Sequence, residues 1–220
     1  MQISLDMVKE NPVVNACIKH GDQHLAQIGY TDHGPKHVML VSDRAMQVLS
    51  ELGYSDREIE MAGIAGYIHD IGNVINREAH SQSGALMAYE ILKRMDMGFE
   101  EVATITAAIG NHDEGSGNPV NAIAAALILA DKSHVHRNRV RNRDISTFEI
   151  HDRVNYAAKS AHLRVSKDKM TANLDLTIDI TICPVMEYFE IFLSRMLMCR
   201  QAANYLGCTF ILHINGVKLL

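Results

Sequence analysis

The adjacent pair His69-Asp70 is the sharpest chemical signal in the sequence. It falls late in a segment that carries Ile59, Ala62, Gly66 and His69 on one helical stripe, so an imidazole and a carboxylate enter a core together. Burying both costs on the order of several kcal/mol unless they are paired or hold a metal. Partners of the right type recur along the chain: His37, His80, His112 and Asp131. Asp131 follows Ile123 to Ala130 with no polar relief, and a carboxylate drawn to a core edge needs something cationic to meet it. A lone aspartate of this kind reads as a salt bridge or a helix cap, whereas six such positions on five helices read as a metal site. Nitrogen and carboxylate donors without thiolate suit iron, manganese, nickel, cobalt or zinc, and more than four ligands around a shared carboxylate suggest two ions.

These side chains must be positioned by helices. Pro12 opens the first, with Val13, Val14, Cys17 and Ile18 on one face and breaks expected near Gly21 and Gly29. A second runs from about Pro35 to Leu52 and stops at Gly53. Ser55 with Glu58 forms a capping box for the third, which ends in His69-Asp70. A fourth spans Ser81 to Met95 and a fifth Glu100 to Ile109. The Gly-Ser-Gly-Asn-Pro run then turns the chain, so that Pro119 starts a sixth through Ala130, and a second capping box at Ser146 and Glu149 starts the last, ending near Ser160.

Beyond that point the period changes. Leu163, Val165, Leu174, Leu176 and Ile178 alternate with polar residues around Ser166 to Lys169, a hairpin pattern. Pro184 to Leu206 is a strongly apolar helix, and Thr209 to Leu220 has strand character with an Asn215-Gly216 turn. The expected architecture is therefore mainly α: a helical bundle over residues 1–160, followed by a small α+β element over 161–220. The apolar helix suits either core packing, where its methionines fit, or a homodimer interface.

Composition narrows the classes. The 220 residues carry a net charge of −5, which does not favour nucleic acid or an anionic membrane as partner. The longest apolar run, Ala122 to Ala130, is too short to span a bilayer. Asp6, Lys9 and Glu10 interrupt the start where a signal peptide needs an apolar stretch, and Cys17, Cys183, Cys199 and Cys208 form no close pair, so a cytoplasmic location with reduced thiols is expected. Twelve histidines are present, nine of them between His20 and His136. His20, His24, His151, His162 and His213 lack the contexts described above and read as ordinary histidines.

The order His37, His69-Asp70, Asp131 on a helical frame resembles the HD superfamily of metal-dependent phosphohydrolases over about residues 30 to 140. His69-Asp70-Ile71-Gly72 matches its signature, and His80 to Ala85 and Asn111 to Pro119 resemble the binuclear branch that includes the HD-GYP phosphodiesterases. Asn73, Asn111 and Asn118 depart from the HD-GYP pattern, where lysine, a second histidine and tyrosine stand. The resemblance implies that His37, His69, Asp70 and Asp131 hold one ion, that His80 and His112 hold a second, and that Asp70 bridges them. It implies two divalent ions, iron or manganese before nickel, cobalt or zinc, and a metal-bound hydroxide that attacks a phosphoester of a nucleotide or related metabolite, with Asp70 and His80 catalytic. His33, four residues before His37, is a candidate ligand for a third ion. The alternative is a non-catalytic sensor that binds a nucleotide or metal.

A basic segment follows Asp131. Lys132 and Arg137 are candidates for binding substrate phosphate, whereas Arg139 to Arg143 read as a solvated helix end.

Overall fold

A computed structural model describes residues 2–219. Met1 and Leu220, the latter at the end of the expected C-terminal strand segment, lie outside the described residues. Each helix follows from a local end signal. Helix α1, Leu5–Glu10, is capped by Ser4, whose hydroxyl accepts from the Met7 amide. Helix α2, Pro12–Gln27, starts with proline as its first residue behind Asn11, whose side chain accepts from Val13 and Val14. Helix α3, Pro35–Leu52, stops at Gly53, which takes a left-handed conformation with φ +80°. Helix α4, Asp56–Ile68, has both bonds of the Ser55/Glu58 capping box. Helices α5 (His80–Arg94), α6 (Phe99–Gly110) and α7 (Ala122–Lys132) complete the helical bundle.

Three boundaries differ from the expectation. Gly21 does not break α2; it lies inside the helix, where its missing Cβ lets α2 approach the short 3₁₀ turn Ile71–Val74, with an added Cβ only 3.1 Å from the Val74 nitrogen. Pro119 stays in the loop, because Asn121 supplies what proline lacks, a side-chain oxygen that accepts from the Ala124 amide and opens α7. The second capping box does not form: Asp144 takes both the amide and the hydroxyl of Ser146 into one 3₁₀ turn, and helix α8 begins later, at Ile150–Ala157.

Strand β1, Ala158–Ser166, starts where α8 ends and pairs antiparallel with β2, Thr171–Ile178. Helix α9, Val185–Tyr205, crosses over to β3, Thr209–Ile214, which runs parallel to β2. Strand β4, Val217–Lys218, closes the sheet in the order β1-β2-β3-β4 after the Asn215-Gly216 turn. Alternation places Ala172, Leu174, Leu176 and Ile178 of β2 in the interior.

Helix α7 is the axis of the molecule. Its residues from Ile123 to Ala130 are all buried, and α3, α4, α6 and α9 surround it. A helix that is apolar on every side has no solvent face to offer, which fixes Asp131 at its end beside the centre of the bundle. Arg44 of α3 ties the sheet to the bundle by donating to the Ala161 carbonyl. Among the described residues no helix is long and apolar enough to cross a membrane. All four cysteines are free thiols.

Two glycines set the inter-element distances that the site requires. A Cβ on Gly66 would come within 2.7 Å of the Ser42 Cα, so α3 and α4 cross closely there. A Cβ on Gly72 would lie 2.1 Å from the His80 carbonyl oxygen and 2.6 Å from the Gly84 nitrogen, so this glycine lets the turn after Asp70 rest on the start of α5. Neither backbone neighbour can move without shifting α5. Gly72→Ala is therefore expected to lose about 1–3 kcal/mol of stability in urea unfolding, with bound metal reduced in the same preparation. Wild-type stability together with wild-type metal content would contradict this account of the contact.

Candidate metal centre

Five elements deliver six donor side chains to one point. His37 is in the first turn of α3, His69 caps the end of α4, and Asp70 turns the chain into the 3₁₀ segment. His80 opens α5, His112 lies just past the end of α6, and Asp131 is in the last turn of α7. His37, His69, His80 and His112 are each at most 2% exposed, and Asp70 is 6% exposed.

The ring orientations follow from hydrogen bonds. The Nδ1 of His69 donates to the Gly66 carbonyl at 2.8 Å, that of His80 to Arg77 at 3.0 Å, and that of His112 to Ile109 at 2.6 Å. A carbonyl can only accept, so each of these rings carries a proton on Nδ1 and turns Nε2, the nitrogen available to a metal, inward. The Nε2 atoms of His80 and His112 stand 3.2 Å apart, and those of His37 and His69 3.3 Å apart. Facing lone pairs at that distance repel unless a cation lies between them. His37 is held from behind by His134, their Nδ1 atoms 2.9 Å apart and their rings stacked.

Asp70 joins the two halves. Its Oδ2 lies 3.4 Å from His69 Nε2 and 3.6 Å from His37 Nε2, while its Oδ1 lies 3.4 Å from His80 Nε2 and 3.9 Å from His112 Nε2. One oxygen thus faces each histidine pair. Asp131 Oδ1 closes the first half, 3.4 Å from His37 Nε2 and 3.8 Å from His69 Nε2. The donors form overlapping clusters, His37-His69-Asp70, His69-His112-Asp131 and Asp70-His80-His112, with the nitrogen and oxygen chemistry of a binuclear transition-metal site. Burial acts to raise the pKa of both aspartates, but His69 beside Asp70 and Lys132 beside Asp131 outweigh it and hold both well below the ordinary carboxylate value.

The other expected site residues are placed differently. Lys132 is buried, its Nζ 2.7 Å from Asp131 Oδ2 and 3.5 Å from Glu114 Oε2, so its ammonium is spent between two carboxylates. Arg137 stacks its guanidinium 5.2 Å over the Tyr156 ring. His33 donates from Nδ1 to Thr31, and its Nε2 accepts from Arg139 at 3.2 Å, which occupies the lone pair a third ion would need. Arg139 is itself a correction to the solvated reading: it is 5% exposed and donates to the carbonyls of Asp32 and His134.

A cleft of about 350 Å³ opens beside the clusters, lined by Tyr30, His33, Arg77, Arg139, Asp152 and Arg195, with His151 on its wall. Arg77 reaches within 3.7 Å of Asp70 Oδ1. Arg195 pairs with Glu114 at 2.6 Å and extends a chain of alternating charge, Asp131, Lys132, Glu114, Arg195. Burial opposes the charge on Glu114, yet Lys132 and Arg195 bring its pKa down to about 2. Sequence reasoning assigned no role to Arg77, Glu114, His134 or Arg195 and read Arg139 as solvated. Arg195 left a readable trace, a charge on the buried stripe of α9 formed by Tyr188, Phe192, Met196 and Cys199. Glu114, His134 and Arg139 left none, since the groups they meet are distant in sequence, and Arg77 faces Asp70 only because the chain turns between them.

Burial lowers the pKa of His33, His37, His80, His112 and His134, that of His37 to about 4. The unfolded chain takes up protons on these rings near 6.5, which the native chain refuses, so the unfolded state binds more protons below that pH. Stability contributed by neutral rings is therefore lost as pH falls from 6.5 towards 4. His69 has the opposite sign, because burial is outweighed there by Asp70, but it is one ring against five. The thermal unfolding midpoint is expected to fall steadily between about pH 7 and pH 5 in differential scanning fluorimetry. A flat profile would mean that these rings are not held neutral.

The geometry agrees with what known proteins show. The family model described as HD domain matches residues 36–147, which contain all six donor side chains. An uncharacterized protein of Methanocaldococcus jannaschii is 23% identical over 158 residues, 62% of this chain and 61% of its own length. Ribonuclease Y of Lawsonia intracellularis is 31% identical over 102 residues, 46% of this chain and 18% of its own. The chain thus spans less than two thirds of the length of either relative. With the matched segment covering half of the sequence and carrying the paired histidine clusters around Asp70, the chain belongs to the HD domain family.

Proposed function

We propose that this chain is a metal-dependent phosphohydrolase acting on a phosphoester of a nucleotide or a related phosphorylated metabolite. The observation that carries this reading is the placement of the two Asp70 oxygens, one against each histidine pair, with Nδ1 hydrogens committed to backbone carbonyls so that Nε2 lone pairs face the same point. In this reading His37, His69, Asp70 and Asp131 would hold one ion, and His80 and His112 the second, with Asp70 shared between them. Iron or manganese is preferred by family analogy. Bound there, two such ions supply an activated water and neutralise charge on the phosphoryl oxygens.

The chain's own groups do the rest. Lys132 orients Asp131 and keeps it ionised. Arg77 and Arg195, on the cleft wall, receive phosphate oxygens. His80 gives one nitrogen to Arg77 and turns the other towards Asp70, so its part is that of a ligand and leaves no nitrogen for proton transfer. Asp152, buried in the same cleft, offers an acceptor for hydroxyl or amine groups of the substrate body. A cleft near the lower end of the roughly 300–1,000 Å³ range of ligand sites favours a body of mononucleotide size over a cyclic dinucleotide. The departures Asn73, Asn111 and Asn118 point the same way, while His80 and His112 keep the binuclear feature of the HD-GYP branch. Similarity to a protein named ribonuclease Y supports phosphodiester bonds as one substrate class to be tried. The exposed Met186, Leu193 and Leu197 on α9 support a homodimer through that helix.

Elemental analysis of untreated protein is expected to give about two transition-metal ions per chain. Asp70→Ala should lose both and His112→Ala mainly one. A metal content below one per chain that reconstitution does not raise would remove the binuclear reading.

Hydrolysis is tested with manganese- or iron-loaded protein on mononucleotides, a nitrophenyl phosphodiester, cyclic di-GMP and a short oligoribonucleotide. Turnover is expected on the small substrates and should vanish in Asp70→Ala. Arg77→Gln should raise KM more than it lowers kcat if its contact is made equally in ground and transition states. No turnover by fully metallated protein, together with tight binding of an intact nucleotide, would replace the hydrolase by a nucleotide sensor.

A further inference from the structure

A second cavity, of about 300 Å³, lies against the other side of His37. Its wall contains Lys36, Arg44, His134, His136 and Arg139, with Asp32 as the carboxylate among its lining residues. Two of these groups are cations without an anion, Arg139 buried and Arg44 half-buried. Arg44 donates only to neutral acceptors, the Ser133 hydroxyl at 3.1 Å and the Ala161 carbonyl at 2.9 Å. Arg139 likewise donates to the carbonyls of Asp32 and His134 and to the His33 ring. Among the described residues no carboxylate forms an ion pair with either. The Asp32 carboxylate is engaged by the Gly34 amide at 2.7 Å.

An unpaired guanidinium in a desolvated wall is unfavourable, and burial brings both arginines down to about 10, still fully charged at neutral pH. Two such charges facing one cavity, with Lys36 at the rim, match the charge and the multiple acceptor oxygens of a dianion. We propose that this cavity is a binding site for a phosphate group, as free phosphate or as the head of a small phosphomonoester, separate from the cleft beside Asp70. Arg139 is the wall between the two, since it lines both. Arg44 and Lys36 line this cavity and not the cleft, and Arg77 lines the cleft and not this cavity, which makes the two sites separable by substitution.

The test is isothermal titration of the metal-loaded protein with inorganic phosphate at constant ionic strength, with glycerol 3-phosphate as a second titrant. Saturable binding is expected. Arg44→Gln should weaken it about tenfold or more, since it removes charged hydrogen bonds, and Lys36→Gln should weaken it by less. Arg77→Gln should leave this binding step intact while altering any phosphate binding at the cleft. Because Lys36 is exposed, its variant carries the test if Arg44→Gln does not fold. Tighter binding of the ester assigns the site to a phosphomonoester, and equal binding assigns it to free phosphate. Absence of saturable binding, or binding that survives in both Arg44→Gln and Lys36→Gln and is lost in Arg77→Gln, overturns the proposal. Neither hydrolysis nor substrate identity enters this readout, so it stands or falls apart from the proposed activity.

Discussion

The carboxylate of Asp70, buried among four imidazoles, is the constraint around which the chain is arranged. A desolvated anion must be met by positive charge, and the imidazoles turned towards it are the nitrogen donors that a bound cation would share with it. Helix α4 therefore ends at His69, the backbone turns at Asp70 into a 3₁₀ segment, and Gly72 permits the start of α5 to lie against that segment. The carbonyls of Gly66, Arg77 and Ile109, all near helix ends, orient the rings by accepting from Nδ1. Helix termini thus serve the site in two ways, as places where the chain can turn inward and as sources of carbonyl acceptors for the rings.

Charge spreads outward from this centre in an ordered way. Asp131 is balanced by Lys132, Lys132 by Glu114, and Glu114 by Arg195. The last of these is on α9, within the C-terminal α+β element, so that element contributes to the cleft and completes an ion-pair chain that starts at the ligand cluster. Breaking such a buried chain at one member leaves its neighbour uncompensated, which is more costly than the pair was stabilising. Arg44 and Arg139 stand outside this balance, and that imbalance distinguishes the second cavity from the rest of the interior.

Much of this was legible in the chain itself. Helical spacing, the Ser55/Glu58 box, Pro12 and Gly53 specify helices through interactions within a few residues of one another, so sequence alone determined them. The change to alternation after residue 160 likewise announced the sheet, and the type and order of His37, His69-Asp70, His80, His112 and Asp131 announced a metal site on an HD-type frame. Where two local signals competed, the sequence did not say which would win: Asn121 displaced Pro119 as a helix start, and Asp144 withdrew Ser146 from its box.

Only the tertiary structure decided which charges meet. Arg139 sits beside His33, more than a hundred positions away in the chain, Lys132 faces Glu114 rather than an open cleft, and Arg195 reaches the site from a helix that sequence left open between core packing and a dimer interface. Each of these outcomes depends on how α7, α9 and the segment after Lys132 pack, and a guanidinium or ammonium on its own carries no record of its eventual partner. The chemistry of the donors was local and therefore written in residue type. The compensation of their charge was long-range, and so only the packed helices could settle it.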